Sequence, residues 1–107
     1  MEDQYYWVYI LHCENDSYYT GYTNDLAKRY QSHLNGTSKC KYTRSFKPLR
    51  IAQCWKINGD KALAMQIGRH IKKMPRAEKE KIVAKPSTLS TDARVKPVSK
   101  KMRLSIT

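Results

Sequence analysis

Two apolar, aromatic stretches near the start of the chain are separated by a short polar segment and predict a β-hairpin. Residues 5–12 and 18–23 are rich in aromatic and β-branched side chains, a composition that favours strands. Residues 13–17, between them, are typical of a turn. Gly21 interrupts the second stretch, and a glycine inside a strand indicates a bulge or the close approach of another group.

Apolar residues at helical spacing follow the hairpin directly and predict a first helix. Thr23 or Asn24 is expected to cap this helix, with Asp25 in its first turn, and Gly36 is typical of a helix end. The apolar stripe of the helix repeats every four residues and consists of Leu26, Tyr30 and Leu34.

The second half of the chain predicts one more strand and two more helices. Residues 49–56 alternate loosely and indicate a mostly buried third strand, and Asn58-Gly59-Asp60 is typical of a turn that caps a helix. The apolar residues of that helix are Leu63, Ile67, Ile71 and Met74. Pro75 suits the first position of a further short helix.

Periodicity is absent from residues 84–107, which predict a flexible basic tail. Residues 1–83 are therefore expected to form one domain of the α+β class. Its predicted architecture is a small three-stranded antiparallel or mixed sheet flanked by helices.

Charge narrows the classes of partner. The chain has 107 residues and a net charge of +12, beyond the ~2–8 usual for a small domain. Such a surface suits nucleic acid or an anionic membrane, but no amphipathic helix with a large apolar face is evident, so a membrane-surface protein ranks last. Three widely spaced cysteines without a Cys-x-x-Cys pair disfavour a zinc site, and the short initial apolar run indicates no signal peptide. We therefore expect an intracellular protein.

Four residues are candidates for chemistry at a phosphodiester. Tyr9 and Tyr19 lie on the two predicted strands, and Arg29 and His33 lie four positions apart on one face of the first helix. Phenol, guanidinium and imidazole groups can orient water, bind phosphate oxygens and move protons. The alternatives are core packing for the tyrosines and a solvated helix face for Arg29 and His33.

This arrangement resembles the GIY-YIG nuclease family, in particular its small stand-alone single-domain members. Trp7-Val8-Tyr9 and Tyr19-Thr20-Gly21 match the two tripeptides of the family, and Arg29 and His33 match residues of its first helix. The segments 41–44 and 71–80 also resemble this subgroup. The resemblance covers residues 5–83.

The resemblance implies a DNA endonuclease that uses one divalent metal, Mg²⁺ or Mn²⁺. It implies that Tyr9 or Tyr19 activates or orients the attacking water, that Arg29 binds the phosphate oxygens and that His33 relays a proton. It also places a metal-binding glutamate where this chain has Gly68. Glycine offers no oxygen ligand, so we expect no bound metal and impaired activity.

Three explanations for a glycine at position 68 stay open, namely a packing requirement, a natural loss of activity or an introduced substitution. The alternative function on the same fold is a non-catalytic DNA- or RNA-binding module.

A basic loop is expected to add affinity for nucleic acid. Residues 37–50 contain five basic residues and no acid. Within them, the cations Lys39, Lys41, Arg44 and Lys47 can neutralise phosphates, while Tyr42 can stack on unpaired bases. The alternative is an ordinary solvated loop.

Replacing Lys41 and Arg44 with alanine is expected to weaken binding to all nucleic-acid sequences alike, because phosphate contacts carry no sequence information. The slope of log affinity against log salt should fall by about 0.9 for each lost contact with duplex DNA. Anisotropy titrations at several salt concentrations measure this slope. An unchanged slope would count against a role for the loop.

Overall fold

The computed structural model describes residues 5–36 and 45–106. A short 3₁₀ helix over Pro86–Thr88 follows the third α-helix. The strands are β1 (Tyr6–Cys13), β2 (Tyr18–Thr23), β3 (Pro48–Ile57) and β4 (Val95–Pro97). The helices are α1 (Leu26–Asn35), α2 (Lys61–Lys72), α3 (Arg76–Ala84) and α4 (Lys100–Ile106).

All four strands pair antiparallel in the order β2-β1-β3-β4. The α+β class is confirmed, but the sheet has four strands where the sequence predicts three. Strand β1 is the first strand of the hairpin and an inner strand of the sheet, because it pairs with β2 on one side and β3 on the other. Strand β2 is therefore an edge of the sheet.

Helices cover both faces of this sheet. Val8 and Ile10 point to one face, where they pack in a core with Leu63, Ala64 and Ile71 of α2. Tyr9 and Leu11 point to the opposite face because side chains alternate along a strand, and there they pack with Leu26 and Tyr30 of α1. Near edge strand β2, α1 and α2 therefore lie on opposite faces of the sheet.

The C-terminal segment packs on the sheet instead of forming the flexible basic tail that the sequence predicts. Strand β4 pairs with the end of β3, and Leu89, Val95 and Val98 are buried. Two side-chain bonds add to this packing: Trp55 Nε1 donates to the carbonyl of Pro86 at 2.9 Å, and Arg103 donates to Gln53 Oε1 at 2.6 Å. Burial against a distant strand supplies the stability that the irregular local sequence does not indicate.

Two helix starts differ by one residue from their predictions. Asp25, not Thr23 or Asn24, caps α1, because its carboxylate accepts from the backbone N–H of Lys28 at 3.2 Å. Pro75 precedes α3 as its N-terminal cap residue instead of occupying its first helical position. The predicted end of α1 is confirmed, since Gly36 has a φ of 64° in the left-handed region that glycine adopts most easily.

Cys13 and Cys54 are both buried thiols without a disulfide. Burial raises the pKa of Cys54 to about 12, which suits a small apolar packing residue. Cys40 lies outside the described residues. Within the described ranges, no helix has the length and apolar character needed to cross a membrane.

Replacing Leu89 with alanine tests whether the C-terminal segment contributes to the core. We expect the free energy of unfolding to fall by about 2–3 kcal/mol, because a buried leucine side chain leaves a cavity when it is truncated. Leu104→Ala is the matched control, since Leu104 is 63% exposed, and its effect should stay within about 0.5 kcal/mol. Urea denaturation measures both. Equal, small effects would mean that the segment does not stabilise the fold.

Candidate functional site

A cleft of about 560 Å³ at edge strand β2 is lined by residues of β1, β2, α1 and α2. Tyr9, Tyr19 and Arg29 all line this cleft, so the structure brings together three of the four residues singled out as chemical candidates. The other lining residues are Tyr6, Gly21, Tyr22, Thr23, Asn24, Lys61 and Lys72.

The register of the hairpin brings the two phenols together. Tyr9 pairs with Gly21, and Leu11 pairs with Tyr19. Directly paired residues share a face, and so do residues two apart on one strand, so Tyr9 and Tyr19 are diagonal neighbours on the same face. Their convergence thus follows from strand pairing alone.

Gly21 leaves the space that the Tyr9 ring occupies. A Cβ added at this glycine would contact the Tyr9 hydroxyl and lie 2.7 Å from Cζ of the ring. Tyr9 is 1% exposed, so its ring has little room to move away. The close approach that a glycine in this strand indicates is therefore that of a phenol from the neighbouring strand.

His33 lies beneath the cleft and contacts both tyrosines. Its Nε2 is 2.9 Å from the Tyr9 hydroxyl, which makes a buried hydrogen bond between β1 and α1. Its ring also meets the Tyr19 ring edge-on, with centroids 5.2 Å apart. His33 is 0% exposed, so it supports the lining of the cleft without forming part of it.

Burial, and then the charge of Arg29 one turn earlier on α1, lowers the pKa of His33 to about 4. The imidazole is therefore neutral at pH 7. A neutral ring with its proton on Nδ1 can accept the Tyr9 hydroxyl proton in a hydrogen bond at Nε2. A proton relay at neutral pH needs an imidazole that titrates near its ordinary pKa, and the buried environment of His33 removes that condition.

The cleft is positively charged. Arg29 approaches from α1, and Lys61 and Lys72 approach from α2. Neither lysine forms an ion pair with a described carboxylate, and no described residue of the lining is an acid. Neither lysine stands out in the sequence, although the two lie three turns apart on one helical face.

Gly68 lies on the same face of α2, between the two lysines. Apart from its two chain neighbours and the nearby helix backbone, no atom of the described residues lies within 4 Å of a Cβ added there, so close packing among them does not require the glycine. This finding overturns the packing explanation, while natural loss and an introduced substitution both stay open.

Divalent cations such as Mg²⁺ bind carboxylate oxygens in proteins, and the described lining offers only phenol, hydroxyl, amide and cationic groups. Nor do the described residues contain a cluster of three acidic, histidine or cysteine side chains that could hold a metal. The cleft as described does not fit a divalent metal.

The basic loop is only partly described. Lys39, Lys41, Tyr42 and Arg44 lie outside the described residues. Lys47 is exposed, and its backbone exchanges hydrogen bonds with Glu14, which fixes the end of the loop beside the hairpin turn.

A larger groove of about 810 Å³ lies elsewhere, between the end of α2, α3 and the 3₁₀ helix. Its floor is apolar, with Met74, Ile82 and Leu89, and no tyrosine or arginine lines it. The chemical candidates belong to the smaller cleft, so size alone does not identify the site.

Comparison with known proteins identifies the family of the chain. The GIY-YIG catalytic domain matches residues 5–81. The chain belongs to the GIY-YIG family. A UPF0213 protein of Oceanobacillus iheyensis is 45% identical over 83 residues, which cover 78% of this chain and 93% of that protein.

Two further UPF0213 proteins are similar to this GIY-YIG chain. The protein from Fusobacterium nucleatum is 36% identical over 87 residues, which cover 81% of this chain and 85% of that protein. The solution NMR structure of a UPF0213 protein from Bacillus halodurans is 38% identical, covers 75% of this chain and 83% of that chain, and has a TM-score of 0.48.

The buried His33 of this GIY-YIG domain predicts a pH-dependent stability. Its pKa is about 4 when folded and near 6.5 when unfolded, so the unfolded chain binds more protons between these values. The stability is fully present above about pH 6.5. Below it, the free energy of unfolding should fall by up to about 1.4 kcal/mol per pH unit until the pH reaches the folded pKa.

Urea denaturation between about pH 7 and pH 4.5 measures this loss. His33→Gln is the control, because it keeps a hydrogen-bonding side chain but has no ring to titrate. We expect its profile to be flatter than that of the parent chain. Parallel profiles would show that His33 is not the group responsible.

Proposed function

We propose that this chain binds nucleic acid, with DNA as the expected substrate, by holding a backbone phosphodiester in the cleft beside β2. We further propose that it is a metal-dependent endonuclease domain whose hydrolysis is impaired by Gly68. The observation that carries the proposal is the shared cleft of Tyr9, Tyr19 and Arg29. An intracellular location, as the unpaired cysteines suggest, is part of the same proposal.

Arg29 is the proposed phosphate-binding residue. Its planar guanidinium can donate two parallel hydrogen bonds to phosphate oxygens and stabilise charge that grows on them during hydrolysis. Helix α1 projects it into the cleft from the turn before His33. A lysine in its place would keep the charge but lose the two-pronged geometry.

The tyrosines are the proposed groups for orienting the attacking water. The hydrogen bond that the Tyr9 hydroxyl donates to His33 fixes this hydroxyl in the wall of the cleft. With a pKa of about 4, His33 holds a proton poorly at neutral pH, so we propose that it positions Tyr9 instead of relaying protons. The ring of Tyr19 packs edge-on against the imidazole ring of His33.

The proposed defect concerns the missing carboxylate. The resemblance to the family implies Mg²⁺ or Mn²⁺ and a glutamate at position 68, and the described lining of the cleft provides no acid in exchange. Arg29 and the phenols alone can bind and orient a phosphodiester. The second candidate function, a non-catalytic nucleic-acid-binding module, is favoured by this same positive, acid-free lining.

A cleavage assay with Gly68→Glu separates the two candidates. The parent chain should show little or no cleavage of branched, nicked or single-stranded DNA with Mg²⁺ or Mn²⁺. Since the space beside Gly68 is open, Gly68→Glu should fold and raise the cleavage rate more than about tenfold, which corresponds to about 1.4 kcal/mol in the barrier. Clear cleavage by the parent chain would rule out the binding module.

Gly68→Ala is the matched control, because it also removes the helix cost of glycine, about 1 kcal/mol, but adds no carboxylate. It should leave cleavage unchanged. If Gly68→Glu also fails to cleave DNA, the binding module is favoured.

Arg29→Ala should weaken DNA binding, while Arg29→Lys recovers part of it. Unaltered binding in both variants would exclude both candidate functions.

A further inference from the structure

Helix α2 presents Lys61 and Lys72 to the cleft, and Gly68 lies between them on the same helical face. At 100° per residue these three positions fall within an arc of about 40°. At a rise of 1.5 Å per residue, the Cα atoms of Lys61 and Lys72 are about 16 Å apart along the helix axis, with Gly68 between them. Both lysines line the cleft, and the Gly68 position leaves open space beside the helix.

The position of Lys61 is unfavourable for the helix itself. It is the first residue of α2, where the helix dipole disfavours a cation, and the first turn contains no acidic residue. Asp60 caps the helix through the backbone N–H of Leu63 at 3.0 Å, and it forms no ion pair with Lys61. An anionic ligand at this end of the cleft would compensate the charge of the lysine and the exposed N–H groups of the first turn together.

We propose that α2 is a track for one nucleic-acid backbone, on which Lys61 and Lys72 hold two different phosphates on either side of Gly68. This inference rests on the proposed function and adds to it the path that the nucleic-acid backbone follows along α2. Arg29, on the facing wall, holds the phosphate between the two. Binding along the track needs no metal, because the cations of the cleft neutralise the backbone directly.

Separation along the helix is the reason for assigning two phosphates. Each lysine carries one ammonium at the end of a flexible stem, so a pair that shared one phosphate would be expected one turn apart. Lys61 and Lys72 are three turns apart, which matches two separate, non-adjacent groups of an extended polyanion better than a single small anion. The ligand class is therefore an oligonucleotide backbone, and inorganic phosphate should bind weakly.

The test measures binding of a fluorescein-labelled single strand of about twelve nucleotides by anisotropy in EDTA, at several salt concentrations. The variants are Lys61→Ala, Lys72→Ala and the double substitution. Each single substitution should lower the slope of log affinity against log salt by about 0.7, the value for one phosphate contact on a single strand. The control is Lys101→Ala. Lys101 is an exposed residue of α4, and this helix packs against β3 instead of the β2 edge.

The double substitution distinguishes two phosphates from one. If the lysines hold separate phosphates, the double variant should lose affinity by the product of the factors lost in the two single variants. Independent contacts are additive in free energy, so their effects on affinity multiply. A double variant no weaker than either single variant would overturn the track. So would slope changes no larger than that of Lys101→Ala.

Competition with inorganic phosphate gives a second readout. Inhibition at concentrations near those of the oligonucleotide itself would indicate a single-anion site and overturn the proposal. Arg29→Ala, measured in the same assay, separates the two levels of inference. If it weakens binding while the lysine variants do not, the track is wrong and the proposed function stands, whereas unaltered binding in all variants removes both.

Discussion

The buried hydrogen bond between Tyr9 and His33 joins the hairpin to the first helix and fixes the geometry of the cleft. It forms because the Tyr9 ring lies over Gly21, where any side chain would collide with it. Once His33 is held, α1 cannot rotate freely about its axis, and Arg29, one turn earlier, is directed to the cleft. Strand pairing puts the two phenols on one face, and the position of the guanidinium relative to them depends on one donor–acceptor pair and one missing side chain.

The same contact determines which groups carry charge. Burial and the nearby guanidinium keep the imidazole neutral, so His33 adds no positive charge behind Arg29. A protonated ring would repel Arg29 and leave a buried charge unpaired, which is costly. With two lysines on the opposite wall and no described acid in the lining, the electrostatics favour an anion and disfavour a divalent metal.

Regular local patterns in the sequence predict most of the fold, and long-range packing supplies the rest. The hairpin, α1 and α2 have clear periodicity, and their register brings Tyr9 and Tyr19 together. Strand β4 has only three residues and includes Pro97, so it shows no period that could indicate a strand. Its stability comes from contacts with Trp55 and its neighbours, about forty residues earlier. In the sequence, Lys61 and Lys72 resemble solvated helix residues, because the pattern does not indicate which face of the helix lies beside the hairpin. The structure places both in the lining of the cleft.

Gly68 separates two properties that a nuclease fold usually combines. The scaffold of the proposed phosphate site depends on Tyr9, Gly21 and His33, and none of these contacts involves position 68. Glycine there costs the helix about 1 kcal/mol relative to alanine and fills no tight space, so the fold gives no reason for its presence. The proposed grip on the backbone can therefore persist without the carboxylate that hydrolysis would need, because Arg29, Lys61 and Lys72 reach the cleft without a side chain at position 68.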